Sequence, residues 1–282
     1  MLALKEKNFK IFISTNLIIF IQFFALIPFL IAENKIVIKG SDTLGSKVIP
    51  KLAEAYENRY PGTKFEIAAE GSSTGIAAII DGTAEIGMSS REVKGKEKAS
   101  AGANGVRLTK TVVALDAVAI IVNQSNPIKQ LSLKQVERIF TDDFKDWSSV
   151  GGRSGKISAY TRNTSSGTYA FFQKFALEGR DYGASTQKMA GNEQIAIEVA
   201  NNPNGIGYIG LAYVGASGIR VIAVDGTLPF FPKTNSGNYK LARKLNCYTN
   251  GNPSGNTKKF LDFILSETGQ KIVANTGFIS LD

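Results

Sequence analysis

Segments with the periodicity of strands and of helices alternate along this chain, and that alternation constrains the fold more than any other feature. Residues 35–38, 63–69 and 84–89 have the pattern of strands, whereas residues 44–60 and 76–81 have the pattern of helices. Tight glycine-containing turns separate these segments. The βαβαβ order predicts an α/β fold with a largely parallel sheet.

A second unit of the same kind follows. Its predicted strands are residues 111–123, 157–160 and 205–208, its predicted helices are residues 131–140, 168–177 and 193–200, and residues 215–224 extend it. One more predicted strand, residues 240–249, and a helical pair over residues 257–274 follow to the end of the chain. Residues 225–238 are rich in Pro, Gly and Asn and are predicted to connect the units. Two α/β units with two connecting strands predict two lobes and a hinge. Lobe 1 is predicted as residues 33–116 plus 236–282, and lobe 2 as residues 117–235.

The N-terminus has the layout of a signal peptide. Lys5, Lys7 and Lys10 precede an uncharged stretch over residues 11–31, and a small residue, Ala32, stands before a polar segment. We predict export, with residues 1–32 as the signal peptide and cleavage after Ala32. The alternative is an uncleaved membrane anchor, because the apolar run is long for a signal.

Composition weakens most enzyme hypotheses, including a phosphatase. The chain has no histidine, which removes the usual general base and the commonest zinc ligand, and no metal site is expected. Its one cysteine, Cys247, cannot form an internal disulfide and is predicted to be a buried small hydrophobe. The formal net charge of +9 is scattered singly rather than clustered, so nucleic acid is not the expected partner.

Three turns rich in hydroxyl groups, each between a strand and a helix, share one design: residues 40–44, 71–75 and 162–168. Helix N-termini carry unpaired N–H groups and partial positive charge, and Ser and Thr add donors, so such turns bind oxyanions. Each turn alone is more often an ordinary helix cap than a ligand site. Arg162 favours the anion, because its guanidinium supplies a full charge and paired hydrogen bonds.

A fourth segment, residues 89–92, follows a strand and offers another hydroxyl from Ser90. Arg91 stands beside it. That arginine either contributes to the site or pairs locally with Glu92 or another carboxylate.

Taken together and in order, the blocks IKGSDTL, AEGSSTGIAAIIDGTAEIGMSSRE, ALDAVAIIVN, YTRNTSSGTYAFF, NGIGYIGLAYV and FLDFILSETGQKIV resemble the periplasmic phosphate-binding proteins of ABC phosphate importers. The resemblance runs over nearly the whole chain after residue 32. It implies a type II periplasmic-binding-protein fold, in which two lobes of mostly parallel sheet flanked by helices are joined by a two-strand hinge and close on a dehydrated phosphate.

The resemblance also implies function and site. It implies a periplasmic, non-enzymatic monomer without cofactor, which captures phosphate and delivers it to a membrane permease. Its phosphate-binding residues would be Thr43, Leu44, Ser72 and Ser90 from the first lobe, and Arg162, Ser166, Gly167 and Thr168 from the second, with Ser41 and Asp42 as further candidates. Asp116 would lie at the first crossing between the lobes, a position that suits a hinge residue equally well.

The chain departs from the family pattern at two aspartates. In longer members an aspartate fills the position of Ser90, and another, which steadies the arginine, corresponds to Thr164. Arg162 is therefore expected to be less neutralised, and the carboxylate that accepts the proton of phosphate and repels sulfate is missing. Asp42 is either a substitute acceptor or the cap of the following helix. Another tetrahedral oxyanion, such as sulfate, and a surface interaction role remain the alternatives.

Overall fold

A computed structural model describes residues 34–230 and 239–281. The predicted signal peptide, residues 231–238 of the predicted connection and residue 282 lie outside these ranges. Among the described residues, no helix has both the length and the apolar character needed to cross a membrane.

The described residues form ten strands and nine α-helices. The strands are β1 (Asn34–Gly40), β2 (Thr63–Ala68), β3 (Ile86–Ser89), β4 (Leu108–Asn123), β5 (Gln130–Leu131), β6 (Ser158–Arg162), β7 (Gln187–Met189), β8 (Gly205–Gly210), β9 (Ile219–Val224) and β10 (Ala242–Asn250). The helices are α1 (Asp42–Gly45), α2 (Val48–Arg59), α3 (Ser72–Ile80), α4 (Gly95–Ala103), α5 (Leu133–Phe140), α6 (Gly167–Phe175), α7 (Asn192–Asn201), α8 (Gly255–Leu265) and α9 (Glu267–Asn275).

The strands follow one continuous path, β2-β1-β3-β10-β4-β8-β6-β7, with β9 paired to β4 and β5. Pairs of β1 with β2 and β3, and of β6 with β7 and β8, are parallel, as the alternation of strands and helices predicts. The pairs that β10 and β4 make with each other and with β3, β8 and β9 are antiparallel. The fold is thus α/β, with mixed pairing where the chain crosses.

Strand β4 is shared by two halves of the sheet. It pairs with β10 up to Ala117 and with β8 from Val118 onward. We call the half containing β1, β2, β3 and β10 the first lobe and the half containing β5 to β9 the second lobe. The residue boundaries proposed for the two domains remain a prediction.

Aromatic packing anchors helices to both lobes. In the first lobe, Tyr56 of α2 meets Phe260 of α8 edge to face, with ring centroids 5.3 Å apart. In the second lobe, Phe172 of α6 stacks on Tyr208 of β8 at 3.9 Å. Cys247 is fully buried in β10, as predicted, and burial raises the pKa of its thiol to about 12.

Helix α4 was not predicted, and among the helix boundaries that differ from the sequence prediction, two shape the turns. The helix predicted over residues 44–60 is two helices, because Lys47 leaves the helical region between α1 and α2. Helix α3 begins at Ser72 rather than at residue 76. Asp42 and Ser72 therefore lie in the first turns of helices, next to the carboxyl ends of β1 and β2.

We expect Gly75→Ala to destabilise the fold. A methyl group there would lie 2.5 Å from the Lys39 carbonyl oxygen and 2.9 Å from that of Met88, both rigid backbone atoms beneath α3. The cost should be about 1–3 kcal/mol of unfolding free energy, measured by urea denaturation. Gly102→Ala in α4 is the control, since no atom lies within 4 Å of the place where its methyl group would stand, and it should not destabilise. Equal effects would contradict this account of the packing.

Candidate functional site

Four hydroxyl groups meet where the two lobes touch. Thr43 Oγ1 lies 3.2 Å from Thr168 Oγ1, Ser90 Oγ lies 3.5 Å from Thr168 Oγ1, and Ser72 Oγ lies 3.4 Å from Ser90 Oγ. All four side chains are buried. We call them the hydroxyl cluster. The structure thus brings together residues from three separate turns and from the end of β3.

Local structure explains why these hydroxyls converge. Thr43 and Ser72 lie in the first turns of α1 and α3, Ser90 follows β3, and Thr168 lies in the first turn of α6. Each of these positions follows the carboxyl end of a strand, and β1 and β3 are parallel neighbours. In α/β folds this edge of the sheet is where ligands bind.

Ser166 and Gly167 shape the second-lobe side. Ser166 is the N-cap of α6, and its Oγ accepts the Tyr169 N–H at 3.3 Å. A Cβ on Gly167 would lie 2.1 Å from Ser72 Oγ and 2.7 Å from Ser90 Oγ. Only glycine lets α6 approach the first lobe this closely.

Ser41 and Leu44 belong to the first turn but are not members of the hydroxyl cluster. Ser41 is buried and is the N-cap of α1. The Leu44 N–H, predicted as an anion donor, donates to the Ser41 carbonyl at 3.2 Å. Both residues line the turn that holds Thr43.

Arg162 ends β6 and is almost fully buried. Its Nη2 donates to the Ala190 carbonyl at 2.7 Å, and its Nη1 lies 3.0 Å from Asp42 Oδ2. Neither Nη1 nor Nε makes a hydrogen bond of good geometry with any described residue. Burial lowers the pKa of this guanidinium, and the Asp42 carboxylate opposes that shift. Arginine side chains stay charged in proteins. Nε therefore remains available to an acceptor, whereas Nη1 is engaged through the ion pair with Asp42.

Asp42 supplies the counter-charge that the aspartate missing at position 164 would have given to Arg162. Its Oδ2 accepts from the Asn192 backbone N–H at 3.1 Å and from Asn192 Nδ2 at 2.6 Å, beside the Arg162 ion pair, and its Oδ1 accepts from Ser46. Arg162 is therefore neutralised, contrary to expectation. The alternative of Asp42 as a helix cap is wrong, because α1 begins at Asp42 and Ser41 is its N-cap.

Direct backbone contacts also join the lobes. The Ser73 N–H donates to the Ser165 carbonyl at 3.0 Å, and Ser165 Oγ donates to the Glu70 carbonyl at 2.8 Å. Gly71 packs on Ser165, where a Cβ would lie 2.5 Å from its Oγ. The structure is therefore a closed arrangement of the two lobes.

Sequence reasoning missed Arg243, and it identified Asp116 only as a hinge residue. The two face each other across β10 and β4, and Arg243 Nε and Nη2 lie 2.9 Å and 2.7 Å from Asp116 Oδ2. Asp116 Oδ1 also accepts the Leu211 N–H at 2.9 Å. The signal in the sequence was a single charge within an apolar strand, at Asp116, but nothing local points to its partner.

Arg91 lies beside the hydroxyl cluster but pairs elsewhere. Its guanidinium donates to both carboxylate oxygens of Glu97, at 2.6 Å and 2.9 Å, and to Ser73 Oγ at 3.0 Å. Burial would raise the pKa of Glu97, but the hydrogen bonds from Arg91 and from the Lys94 N–H outweigh it and lower that pKa. Of the alternatives for Arg91, pairing with a carboxylate holds, and Glu97 supplies it; from Glu92 Arg91 takes only the backbone carbonyl.

Within residues 34–230 and 239–281, no group of three or more His, Cys, Asp or Glu side chains is placed to hold a metal ion. The site is instead a set of hydrogen-bond donors with two arginine–aspartate pairs. Such a set suits a small oxyanion.

Comparison with known proteins agrees with this chemistry. A family model described as a PBP superfamily domain matches residues 31–268. The phosphate-binding protein PstS of Pseudomonas aeruginosa is 35% identical over 264 residues, which cover 86% of this chain and 81% of that protein. The chain belongs to the PstS family. PstS of Bacillus subtilis is 31% identical over 249 residues, covering 88% of this chain and 81% of that protein.

Solved structures related to the PstS family have the same fold. A Clostridium perfringens protein, named as a phosphate ABC transporter substrate-binding protein and solved with bound phosphate, superposes with a TM-score of 0.81 at 34% identity, covering 88% of this chain and 100% of that one. An ABC-type phosphate transport receptor from Vibrio cholerae gives 0.71 at 27% identity, covering 86% and 99%. The predicted two-lobed periplasmic-binding-protein fold is confirmed.

Removing one member of the buried pair at the strand crossing should destabilise this PstS-family protein. Asp116→Asn leaves the Arg243 charge buried without a counter-charge, and we expect a loss of about 3 kcal/mol in unfolding free energy by urea denaturation. Asp262→Asn is the matched control, because Asp262 and its partner Lys258 are exposed, and its midpoint should not move. A stable Asp116→Asn variant would show that the crossing does not depend on this pair.

Proposed function

We propose that this protein captures inorganic phosphate outside the cytoplasm and delivers it to the membrane subunits of an ABC-type phosphate importer. The observation that carries the proposal is the buried Arg162 at the same lobe junction as the hydroxyl cluster: its Nε has no hydrogen-bond partner among the described residues, and its Nη1 has only the ion pair with Asp42. Buried unpaired donors are costly, and a bound oxyanion would satisfy them. The names of the relatives at 30% identity and above support phosphate as that anion.

In the proposed complex, donors from both lobes surround one tetrahedral anion. Thr43, Ser72 and Ser90 contribute hydroxyls from the first lobe. The second lobe contributes Arg162, Ser166, Thr168 and the N–H groups of Gly167 and Thr168, which lie in the first turn of α6, where helices have no internal partner for their N–H groups. The Leu44 amide and Ser41 border the site. Binding thereby favours closure, because a complete donor set exists only when the lobes meet.

The proposed delivery of phosphate to the permease depends on export of the chain and on movement of its two lobes. The N-terminal 32 residues would direct the chain to the periplasm, where it would act as a monomer without cofactor and without catalytic activity. The permease would distinguish the closed, loaded form from the open one. Domains of residues 33–116 plus 236–282 and of residues 117–235 would move relative to each other at the strand crossing.

The first test is isothermal titration of the phosphate-stripped chain 33–282 with phosphate. We expect saturable binding of one ion, and a loss of roughly 100-fold or more in affinity for Arg162→Met, because a charged donor to a buried anion disappears. Arg138→Met is the control, since this exposed arginine lies over Phe144 in the second lobe, and its affinity should equal that of the parent. Failure of phosphate to bind, or tighter binding of sulfate, would overturn the proposal.

A carboxylate in this site can either steady the arginine or accept the proton of phosphate, and substitution of Asp42 distinguishes the two roles. Because its Oδ2 already accepts from Asn192 and lies 3.0 Å from Arg162 Nη1, we propose that it steadies the arginine rather than accepting the proton of phosphate. Asp42→Asn should therefore weaken phosphate and sulfate to a similar degree, leaving their affinity ratio unchanged in parallel titrations. A ratio that shifts toward sulfate would identify Asp42 as the discriminating acceptor instead.

A further inference from the structure

Arg243 occupies an unusual place for a charged residue. It lies on β10 directly opposite Asp116 of β4, where the chain passes between the lobes, and the side chains are 2% and 0% exposed. A buried guanidinium is tolerated only when it is paired and hydrogen-bonded. Asp116 provides the pairing through Oδ2, which leaves the remaining guanidinium donors pointing to other acceptors.

Those remaining donors reach the hydroxyl cluster on both sides. Arg243 Nη1 donates to Thr168 Oγ1 of the second lobe at 3.0 Å, and Nη2 lies 3.5 Å from Thr43 Oγ1 of the first lobe. Nη1 also lies 3.4 Å from the Ser90 carbonyl. This residue thus contacts both lobes from the strand crossing.

The contact with Thr168 fixes the direction of a proton. A guanidinium can only donate, so Thr168 Oγ1 must accept from it and must turn its own single hydrogen elsewhere. The neighbours of that hydrogen are the Thr43 and Ser90 hydroxyls, 3.2 Å and 3.5 Å away. The hydrogen therefore points into the cluster, where an anion would receive it.

We propose that Arg243, held by Asp116, is a positioning residue that makes the Thr168 hydroxyl an obligate donor to the bound anion. This inference rests on the proposed function and adds a second arginine, provided by the hinge, to the one on β6. The two pairs differ in kind. Arg162 and Asp42 come from opposite lobes, whereas Arg243 and Asp116 lie on adjacent strands and stay paired when the lobes separate.

A double-mutant cycle between Arg243→Lys and Thr168→Val tests this proposal, with phosphate affinity measured by titration calorimetry. Lysine keeps the charge but loses the planar fork that serves Asp116 and Thr168 together. We expect Arg243→Lys alone to weaken binding roughly 10- to 100-fold, as for loss of a charged hydrogen bond. In the Thr168→Val background the same change should cost less than about 3-fold, because the hydroxyl on which it acts is gone.

Arg91→Met is the matched control. Arg91 is also a buried arginine paired with a carboxylate, Glu97, but it contacts no member of the hydroxyl cluster through its side chain. The phosphate affinity of the Arg91→Met variant should stay within about 3-fold of the parent affinity. Loss of a charged hydrogen bond to the anion would cost more than that. Equal costs of Arg243→Lys in both backgrounds would overturn the inference.

Misfolding of Arg243→Lys and absence of phosphate binding by the parent chain are separate outcomes with separate meanings. If Arg243→Lys does not fold, the double variant Asp116→Asn/Arg243→Met replaces it in the cycle, because removing both charges leaves neither of them buried alone. Its cost in phosphate affinity should likewise fall below about 3-fold in the Thr168→Val background, and equal costs in both backgrounds overturn the inference. Absence of phosphate binding by the parent chain would instead overturn the proposed function. A parent that binds phosphate but shows an additive cycle removes only the role of Arg243.

Discussion

The buried pair between Asp116 and Arg243 is the interaction on which the geometry of the site depends. It joins β4 and β10 at the point where the sheet passes from one lobe to the other, and Asp116 also holds the Leu211 N–H at the end of β8. Neither charge is stable in this interior alone, so each fixes the other. Thr43 and Thr168, which belong to different lobes, lie within reach of the same guanidinium as a result.

How much the sequence predicts follows from how local each feature is. The turns that carry Thr43, Ser72 and Thr168 were predicted because glycine and hydroxyl residues between a strand and a helix form a local pattern, and the order of those patterns resembles a known family. Arg243 and its partner are 127 residues apart, and Asn192 and Asp42 are 150 apart. Such pairs depend on strand order and register, which local periodicity does not encode.

The site also shows that a charge can keep its function while its origin in the chain changes. The resemblance leads one to expect an aspartate near Arg162 at position 164, where this chain has threonine. Asp42, from the other lobe, lies in the first turn of α1 and takes up the neutralising position, 3.0 Å from Nη1. The turn of residues 162–168 alone would leave Arg162 without a counter-charge, whereas in the folded chain Asp42 supplies one through a tertiary contact.

That exchange has a consequence for the unloaded protein. An ion pair made between the lobes, together with the Ser165 contacts to Ser73 and Glu70, favours closure even when the cleft is empty. The empty molecule would then spend part of its time in a shape that resembles the loaded one. Under the proposed function, a permease that recognised shape alone would also bind such empty molecules, so productive docking would have to depend on a feature that only the occupied cleft provides.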